Sequence, residues 1–263
     1  MKTALITGGS SGLGYALSEK FAEEGYRILW VSKPQDELER GRNYLTTSFP
    51  KVELHMLSLD LVPDDAPAQL MKWVEENGWE VDVLVNNAGF GSYGFLLDTV
   101  HQVEVAMMKL HMISLYSLTR LFLDKMEKRG HGLIINISSN SSFQPVPKFA
   151  TYASSKAFVL RFGRAISEEL RMKKSKVRLL TVCPAALNDT AFQKRADMEK
   201  VKTFQGLATT SKYEVVKDVW KAIERNKSFV ISGWKMRFLN RLSWILPYGV
   251  QMALVRREVE EMP

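Results

Sequence analysis

Short apolar runs alternate with longer stretches of helical periodicity along the whole chain. The apolar runs have the length of strands, whereas apolar residues in the intervening stretches recur every three to four positions. The strands are predicted at 3–7, 27–31, 52–58, 82–86, 132–138, 177–183 and 228–232. The helices are predicted at 12–25, 35–47, 66–77, 98–128, 150–173 and 211–226. Strands that alternate with helices in this way pair in parallel, so we expect an α/β fold with a doubly wound parallel sheet of about seven strands and helices on both faces.

A glycine-rich segment connects the first predicted strand to the first predicted helix. It reads Thr7-Gly8-Gly9-Ser10-Ser11-Gly12-Leu13-Gly14. Glycines let a backbone turn tightly and approach a pyrophosphate, whose charge the free amides of a helix N-terminus stabilise. A glycine loop alone is often an ordinary turn, but the strand before it and the helix after it supply the context that the motif requires. A dinucleotide-binding site is therefore predicted here.

Tyr152 and Lys156 lie four residues apart in a predicted helix, and Ser139 lies thirteen residues before Tyr152. Positions i and i+4 share one helix face, so the ammonium of Lys156 is expected beside the phenol, where it favours the ionised form. Ser139 follows a buried strand at the sheet edge where α/β proteins bind ligands. A tyrosine and a lysine at this spacing are commonly only a solvated pair. Together with the glycine loop, these residues indicate redox chemistry on carbonyl and alcohol groups.

The order of four motifs resembles that of the classical short-chain dehydrogenases/reductases. The motifs are TGxxxGxG at 7–14, Asn86-Asn87-Ala88-Gly89, Ser139 and the YxxxK of Tyr152, and the resemblance covers nearly the whole chain. It implies a Rossmann fold in which residues 1–263 form a single dinucleotide-binding and catalytic domain. It also implies a homodimer or homotetramer assembled through the long central helices. A chain of 263 residues without repeats or linkers has the size for one such core.

The resemblance also assigns catalytic roles. Tyr152 would exchange a proton with the substrate oxygen, Lys156 would lower the pKa of the phenol and bind the nicotinamide ribose, and Ser139 would hold the substrate oxygen. His111 stands where the family usually carries an asparagine in its central helix, and it is taken as a fourth, supporting member of the catalytic set. The alternative is that His111 only fills space beside the site.

NADP(H) is expected as the cofactor in preference to NAD(H). The second predicted strand is followed by Ser32 and Lys33, without the acidic residue that would bind the ribose 2′-OH of NAD and repel a 2′-phosphate. Ser32 can donate a hydrogen bond, and Lys33 supplies positive charge. The alternative is that Lys33 points into solvent.

The remaining cofactor contacts follow from the resemblance. Asp60 matches a residue that contacts the adenine amino group, and Pro184-Ala185 replaces the usual Pro-Gly after the sixth strand. Either Asp189 or Thr190 would contact the nicotinamide carboxamide. The complete predicted cofactor set is Gly8, Ser10, Ser11, Gly12, Leu13, Gly14, Ser32, Lys33, Asp60, Leu61, Asn87, Ala88, Gly89, Tyr152, Lys156, Pro184, Ala185, Leu187 and Thr190.

The residues expected around the substrate are mostly aromatic and aliphatic. They come from segments 90–95 and 143–149 and from a predicted substrate lid at 184–210, which contributes Ala186, Leu187 and Phe192. Their character predicts a hydrophobic ketone, aldehyde or secondary alcohol as the substrate. The alternative function is a weakly catalytic or non-catalytic NADP(H)-binding protein for sensing or interaction, which the intact catalytic residues oppose.

Residues 234–258 place apolar and basic residues at helical intervals. A helix docked on the domain or on a partner subunit is the favoured interpretation. An interfacial membrane helix and one wall of a lipophilic substrate pocket are the alternatives.

The net charge of +7 is interpreted as a solvated surface that attracts an anionic cofactor, so no nucleic-acid partner is expected.

Other features indicate what the chain does not use. Cys183 is the single cysteine and excludes an intrachain disulfide. The four histidines have no metal-ligand spacing and no acidic cluster beside them in the sequence, so no metal is predicted. The first strand begins directly after Met1 without a charged and then apolar leader, so a cytoplasmic location is expected.

Overall fold

Parallel strands form one sheet at the centre of the molecule. The computed structural model describes residues 1–190, 192–196, 198, 201–204, 209–243 and 245–259. The strands of this part of the chain are β1 Thr3–Thr7, β2 Arg27–Ser32, β3 Leu54–Ser58, β4 Val83–Asn86, β5 Gly132–Ile137, β6 Val177–Cys183 and β7 Phe229–Ile231. Their order is β3-β2-β1-β4-β5-β6-β7, and every neighbouring pair is parallel. The predicted doubly wound Rossmann sheet is confirmed.

Helices cover both faces of this sheet. They are α1 Gly12–Glu23, α2 Gln35–Ser48, α3 Ala66–Glu76, α4 His101–Met108, α5 Leu115–Arg129, α6 Ala150–Met172, α7 Phe192–Arg195, α8 Lys212–Glu224, α9 Trp234–Ser243 and α10 Tyr248–Glu258. One apolar cluster packs α1, α2 and α8 against the sheet, and a second packs α3, α5 and α6 against the opposite face. Burial of both strand faces explains why the predicted strands read as continuous apolar runs.

The strand order reverses between β1 and β4. From β1 the chain adds β2 and β3 on one side, then returns to place β4 on the other side of β1. The loops after these two strands therefore leave the sheet in opposite directions and open a crevice at the carboxyl edge, where such sheets bind ligands. The glycine loop follows β1, and Asn87 follows β4.

The long central helix is interrupted. A continuous helix over 98–128 was predicted, but α4 and α5 are separated by a π-helix at Lys109–Ser114. A π turn takes in one more residue than an α turn and changes which side chains face inward. In this segment His111 and Ser114 are buried. Apolar spacing cannot reveal such a local change in hydrogen bonding.

Candidate active site

One large cavity opens along the carboxyl edge of the sheet. Its volume is about 1050 Å³, and it is bordered by the residues that follow β1, β2, β4, β5 and β6. It extends from the glycine loop past Tyr152 to the C-terminal helices α9 and α10. The cavity therefore brings most of the predicted cofactor, catalytic and substrate residues to one place.

The glycine loop is shaped by close packing. Gly8 and Gly12 have φ values of +64° and +56°, in the left-handed region that favours glycine. A Cβ atom at Gly14 would lie 2.1 Å from the carbonyl oxygen of Gly8, so only glycine lets α1 begin this close to the loop. The first turn of α1 lines the cavity through Gly12 and Leu13. Its free amides suit the diphosphate of a dinucleotide.

The loop after β4 holds the glycine loop in place. The side-chain amide of Asn87 donates hydrogen bonds to the carbonyl oxygens of Thr7 at 2.9 Å and Gly8 at 3.1 Å. The hydroxyl of Thr7 accepts the backbone N–H groups of Asn87 and Ala88, both at 3.0 Å. These bonds fix the crevice before any ligand binds.

Ser139, Tyr152 and Lys156 all line the cavity. Tyr152 lies on α6, where its ring stacks on Phe149 with the centroids 4.1 Å apart. The ammonium of Lys156 lies 5.7 Å from the centroid of the Tyr152 ring and donates to the carbonyl oxygen of Ile137 at 3.1 Å. The hydroxyl of Ser139 accepts two hydrogen bonds from Ser141, from the backbone N–H at 3.2 Å and the side-chain hydroxyl at 3.0 Å. Its own hydrogen stays available for the phenol or a substrate.

Burial governs the protonation of these groups. It raises the pKa of Tyr152 to about 12, although a hydrogen bond from Ser139 opposes the rise. It lowers the pKa of Lys156 to about 8. Desolvation of the buried ring is the largest cause of the rise, and the lowering of the phenol pKa by Lys156 stays a prediction. The protonated phenol is a proton donor.

His111 is a neutral, fully engaged side chain. Its Nδ1 atom lies 2.9 Å from the hydroxyl of Ser155, and its Nε2 atom accepts the backbone N–H of Phe90 at 3.3 Å. Ser155 donates its own hydrogen to the carbonyl oxygen of Tyr152 at 2.7 Å, so it must accept from Nδ1–H. Burial, followed by the charge of Lys156, lowers the pKa of His111 well below its usual value. Both ring nitrogens are therefore occupied in holding the Phe90 loop and α6 together.

The adenosine end of the cavity contains an ion pair. The ammonium of Lys33 lies 2.7 Å from a carboxylate oxygen of Asp60. Burial acts to raise the pKa of Asp60, but hydrogen bonds from Lys33 and the Val62 amide bring it below its usual value. Lys33 is thus directed across the predicted adenosine site.

Thr190 and Asp189 have different environments. The carboxylate of Asp189 accepts the backbone N–H of Lys212 at 3.0 and 3.2 Å, so it caps α8. Thr190 lines the cavity beside Gly12, and its buried hydroxyl has no hydrogen-bond partner among the described residues. Of the two candidates for a cofactor contact, Thr190 is therefore the one placed to make it. An unpartnered buried hydroxyl fits a polar group of a nicotinamide dinucleotide.

Two members of the predicted cofactor set do not line this cavity. Ser10 donates its hydroxyl hydrogen to Ser32 at 3.1 Å, and Gly14 lies beneath Gly8. Both support the loop from behind. The other predicted cofactor residues, including Pro184, Ala185 and Leu187, border the cavity.

The predicted substrate residues divide into two groups. Phe90, Phe149 and Phe192 line the cavity, as do Ala186 and Leu187. Three aromatic residues of the predicted segments, Tyr93, Phe95 and Phe143, do not. Phe143 packs against Phe229 with the ring centroids 6.2 Å apart, and Phe95 is exposed outside the cavity.

The C-terminal helices provide a wall that the motifs did not indicate. Met236 and Asn240 are the buried residues of α9, and the amide of Asn240 donates to the side-chain oxygen of Asn140, next to Ser139. The apolar residues of this wall are Leu239, Leu242, Leu246, Leu254 and Val255. The tail is thus a docked helix pair and also a wall of the pocket. Its apolar spacing was the available signal, but spacing does not say which cavity a helix borders.

The predicted lid at 184–210 lies partly outside the described residues. Its described part contains α7, a short 3-10 helix at Lys202–Phe204, and a parallel bridge between Leu187 and Thr210. The side chain of Gln193 donates to the carbonyl oxygen of Leu187 at 2.9 Å. Its role as a lid stays a prediction.

Two further features bear on partners. Within the described residues, none of the helices is both long and apolar enough to cross a bilayer.

Folding also places Glu80, Asp82 and His131 together, with their ligand atoms within 4.8 Å of one another. The acidic pair beside His131 could not be predicted from local spacing, because Glu80 and Asp82 lie about fifty residues earlier in the chain. Asp82 already accepts the backbone N–H of Thr3, and Glu80 pairs with Arg129.

A Rossmann sheet whose carboxyl edge brings together a glycine loop and a Ser-Tyr-Lys group is typical of nicotinamide-dependent oxidoreductases. Residues 2–200 match the short chain dehydrogenase family, and the chain belongs to that family.

One curated relative and two solved structures illustrate the similarity. Very-long-chain 3-oxoacyl-CoA reductase of Mus musculus is 33% identical over 174 residues, which cover 65% of this chain and 55% of that protein. The match thus spans about half the length of this curated relative. A short-chain dehydrogenase from Sphingobium yanoikuyae in complex with NADPH superposes with a TM-score of 0.80 at 24% identity, covering 97% of this chain and 96% of the other. A short chain dehydrogenase/reductase from Burkholderia phymatum in complex with NAD gives a TM-score of 0.80 at 20% identity, with coverages of 100% and 98%. At these identities the two structures support the fold alone.

Proposed function

We propose that the protein reduces a hydrophobic ketone or aldehyde to the alcohol with NADPH. The observation that carries this proposal is the placement of Tyr152. Its phenol is buried and protonated, and it lines the same continuous cavity as the glycine loop and the apolar walls. A general acid in that position serves a carbonyl oxygen.

The residues of the site suit proton delivery. Ser139 donates its hydroxyl hydrogen to the substrate oxygen and fixes that oxygen beside the phenol. Tyr152 then transfers its proton to the same oxygen, so the O–H bond of the phenol breaks as the alcohol O–H bond forms. When bound in this cavity, the nicotinamide would supply the hydride for the carbonyl carbon. With a pKa of about 8, Lys156 is mainly protonated at pH 7 and stabilises the phenolate that remains.

The preference for NADP(H) is supported by the charge at the end of β2. Lys33 lies at the adenosine end of the cavity beside Ser32, and both residues border it. The ion pair with Asp60 directs the ammonium across this site and leaves it able to bind a 2′-phosphate. Glu37 also borders the cavity, so the comparison of NADPH with NADH is an essential part of the test.

The substrate class is supported by the walls beyond Tyr152. Phe149, Phe192, Leu239 and Leu254 line a space that accepts a long apolar group. Because the mouse relative is a very-long-chain 3-oxoacyl-CoA reductase, long-chain 3-oxo thioesters are the first substrates to test, followed by bulky apolar ketones.

Association into a homodimer or homotetramer is proposed through the central helices. Ile113, Tyr116 and Phe158 are exposed apolar residues on the π-helix, α5 and α6. Such a patch favours contact with another subunit. A cytoplasmic location stays a prediction.

The test measures the oxidation of NADPH, monitored through its absorbance, with a panel of apolar and polar carbonyl compounds. We expect turnover with apolar ketones or 3-oxo thioesters, slower turnover with NADH, and a loss of at least about a thousandfold in Tyr152→Phe with NADPH affinity retained. Faster reduction of polar sugars would contradict the substrate class. Tight NADPH binding without turnover of any compound would favour the alternative, a cofactor-binding protein for sensing or interaction.

A further inference from the structure

The outward face of α9 is apolar, in contrast to the usual arrangement of a surface helix. Met236 and Asn240 face the domain. On the opposite side, Phe238 and Ile245, which follows the helix, are 64% and 78% exposed, and Trp234 is exposed as well. A helix that is docked on its own domain normally turns polar residues to water. Here large apolar side chains occupy both sides of the helix. The outward side is therefore an exposed apolar surface of the kind that marks an interaction site.

A second exposed apolar segment lies just before α4, whose first turn borders the cavity. Leu97 is 95% exposed, and Val100 is exposed nearby. Val103 is exposed and also lines the cavity, as Leu254 does from α10. The two sides are tied together, because the hydroxyl of Tyr93 donates to the carbonyl oxygen of Val259 at 2.5 Å. We call the residues Leu97, Val100, Phe238, Leu242, Ile245 and Leu254 the apolar rim.

The helices that carry most of this rim are strongly basic. Residues 234–258 contain five lysine and arginine residues and a single acidic residue, Glu258. Arg237 is paired with Asp218 at 3.1 Å, whereas Arg241, Arg256 and Arg257 are exposed. The rim is therefore bordered by positive charge that is available to anionic groups.

We propose that the apolar rim docks on an anionic membrane surface, so that the mouth of the cavity opens against the lipid. Exposed aromatic and aliphatic residues beside arginine match the requirements for interfacial binding. A second copy of the chain is disfavoured as the occupant, because two copies meeting through this face would bring the same positive charges together. If the proposed function holds, the hydrophobic carbonyl substrate enters the cavity directly from the bilayer.

The test is co-sedimentation with vesicles of phosphatidylcholine alone and of phosphatidylcholine with about one-third phosphatidylserine. The wild-type protein is expected to bind the anionic vesicles, and Leu97→Glu/Ile245→Glu is expected to bind them at least about tenfold more weakly. Neither residue lines the cavity. The matched control is Tyr44→Glu/Met172→Glu, which adds the same charge at residues that are 70% and 73% exposed. Met172 ends α6 just before β6 begins, at the opposite edge of the sheet, so this variant should bind like the wild type.

A second pair of variants tests the charge. Arg241→Gln/Arg256→Gln/Arg257→Gln should lose the preference for anionic vesicles, whereas Lys173→Gln/Lys174→Gln/Lys176→Gln should keep it. Equal binding by both triple variants would overturn the charge argument. Failure of the wild type to bind anionic vesicles, or equal loss in the two glutamate pairs, would overturn the proposal.

Two readouts keep this inference separate from the proposed reductase activity. Vesicle binding needs no turnover, and NADPH affinity in the absence of lipid should be unchanged in all four variants. If the protein binds vesicles but reduces no carbonyl compound, the docking proposal stands and the reductase proposal is wrong. If the rim variant instead changes the oligomeric mass in the absence of lipid, the rim is a subunit interface and membrane docking is wrong.

Discussion

Single buried polar atoms determine much of what this site can do. The hydroxyl of Thr190 is buried beside the glycine loop without a partner among the described residues, whereas both ring nitrogens of His111 are occupied. The first side chain is available to a ligand, and the second is part of the framework. The distinction depends on hydrogen bonds, which residue type alone does not specify.

Thr190→Val should separate cofactor binding from stability. Valine has nearly the same shape and removes only the hydroxyl, so the free energy of unfolding should stay unchanged or rise by up to about 1 kcal/mol. The affinity for NADPH should fall by about three- to tenfold, because one hydrogen bond to the ligand is lost. Urea unfolding and NADPH titration measure the two effects. Thr46→Val on α2 is the control, since its hydroxyl bonds within its own helix, and unchanged NADPH affinity in Thr190→Val would refute the assignment.

His111 should make the protein sensitive to acid. Its pKa in the folded state is lowered, so below about pH 6.5 the unfolded chain binds more protons than the folded chain. Stability should therefore fall as the pH drops below that value, by up to about 1.4 kcal/mol per pH unit from this residue. The drop in unfolding free energy between pH 7.5 and 5.5 should be smaller in His111→Asn than in the wild type. An equal drop in both proteins would show that His111 does not titrate in this way.

Helix α6 carries Tyr152 and Lys156, and its position depends on one close approach to β6. A Cβ atom at Gly163 would lie 2.1 Å from the hydroxyl oxygen of Thr181, which itself has no hydrogen-bond partner among the described residues. The small residue thus sets how near the helix comes to the sheet. The depth of Tyr152 in the cavity follows from that distance.

Gly163→Ala should destabilise the protein by about 1–3 kcal/mol despite the better helix propensity of alanine. It should also lower turnover, because α6 must move away from β6. The double variant Gly163→Ala/Thr181→Ala also lacks the clashing oxygen, so most of the lost stability should be restored. Thermal and urea unfolding test this, with Gly249→Ala as the control because no atom lies within 4 Å of its added Cβ. No rescue by Thr181→Ala would contradict the contact.

At the level of the whole molecule, two exposed apolar surfaces call for different partners. The rim at the cavity mouth lies among basic residues, and we assign it to lipid. The patch of Tyr116, Phe158 and Ile113 lies on the central helices, and we assign it to another subunit. Different variants should therefore affect membrane binding and oligomeric mass.

Tyr116→Glu/Phe158→Glu should reduce the molar mass in solution to that of a single chain. Charged side chains in an apolar subunit interface would be buried without partners, which disfavours association. Analytical ultracentrifugation measures the mass, and Tyr44→Glu/Met172→Glu serves again as the control. If the wild type is already a monomer at micromolar concentration, the proposed interface is wrong.

The strands, the glycine loop and the Ser139, Tyr152 and Lys156 group were predictable because they depend on neighbours in the chain. A local apolar run is enough to indicate a strand. The YxxxK spacing places Tyr152 and Lys156 on one helix face through the helix period alone. The observed strand bounds lie within about two residues of those predicted from these patterns.

Other properties depended on residues that are distant in the chain. His111 is held by Phe90 and Ser155, Lys33 is paired with Asp60, and the pKa of Tyr152 is raised by burial that several elements create together. The direction of α9 is a further example, since its apolar residues occupy two sides and only docking through Met236 and Asn240 shows which side faces out. Local patterns specify which elements form, because they reflect short-range backbone and solvent preferences. Hydrogen-bond partners, desolvation and exposed faces arise only when those elements pack, so the tertiary structure decided them.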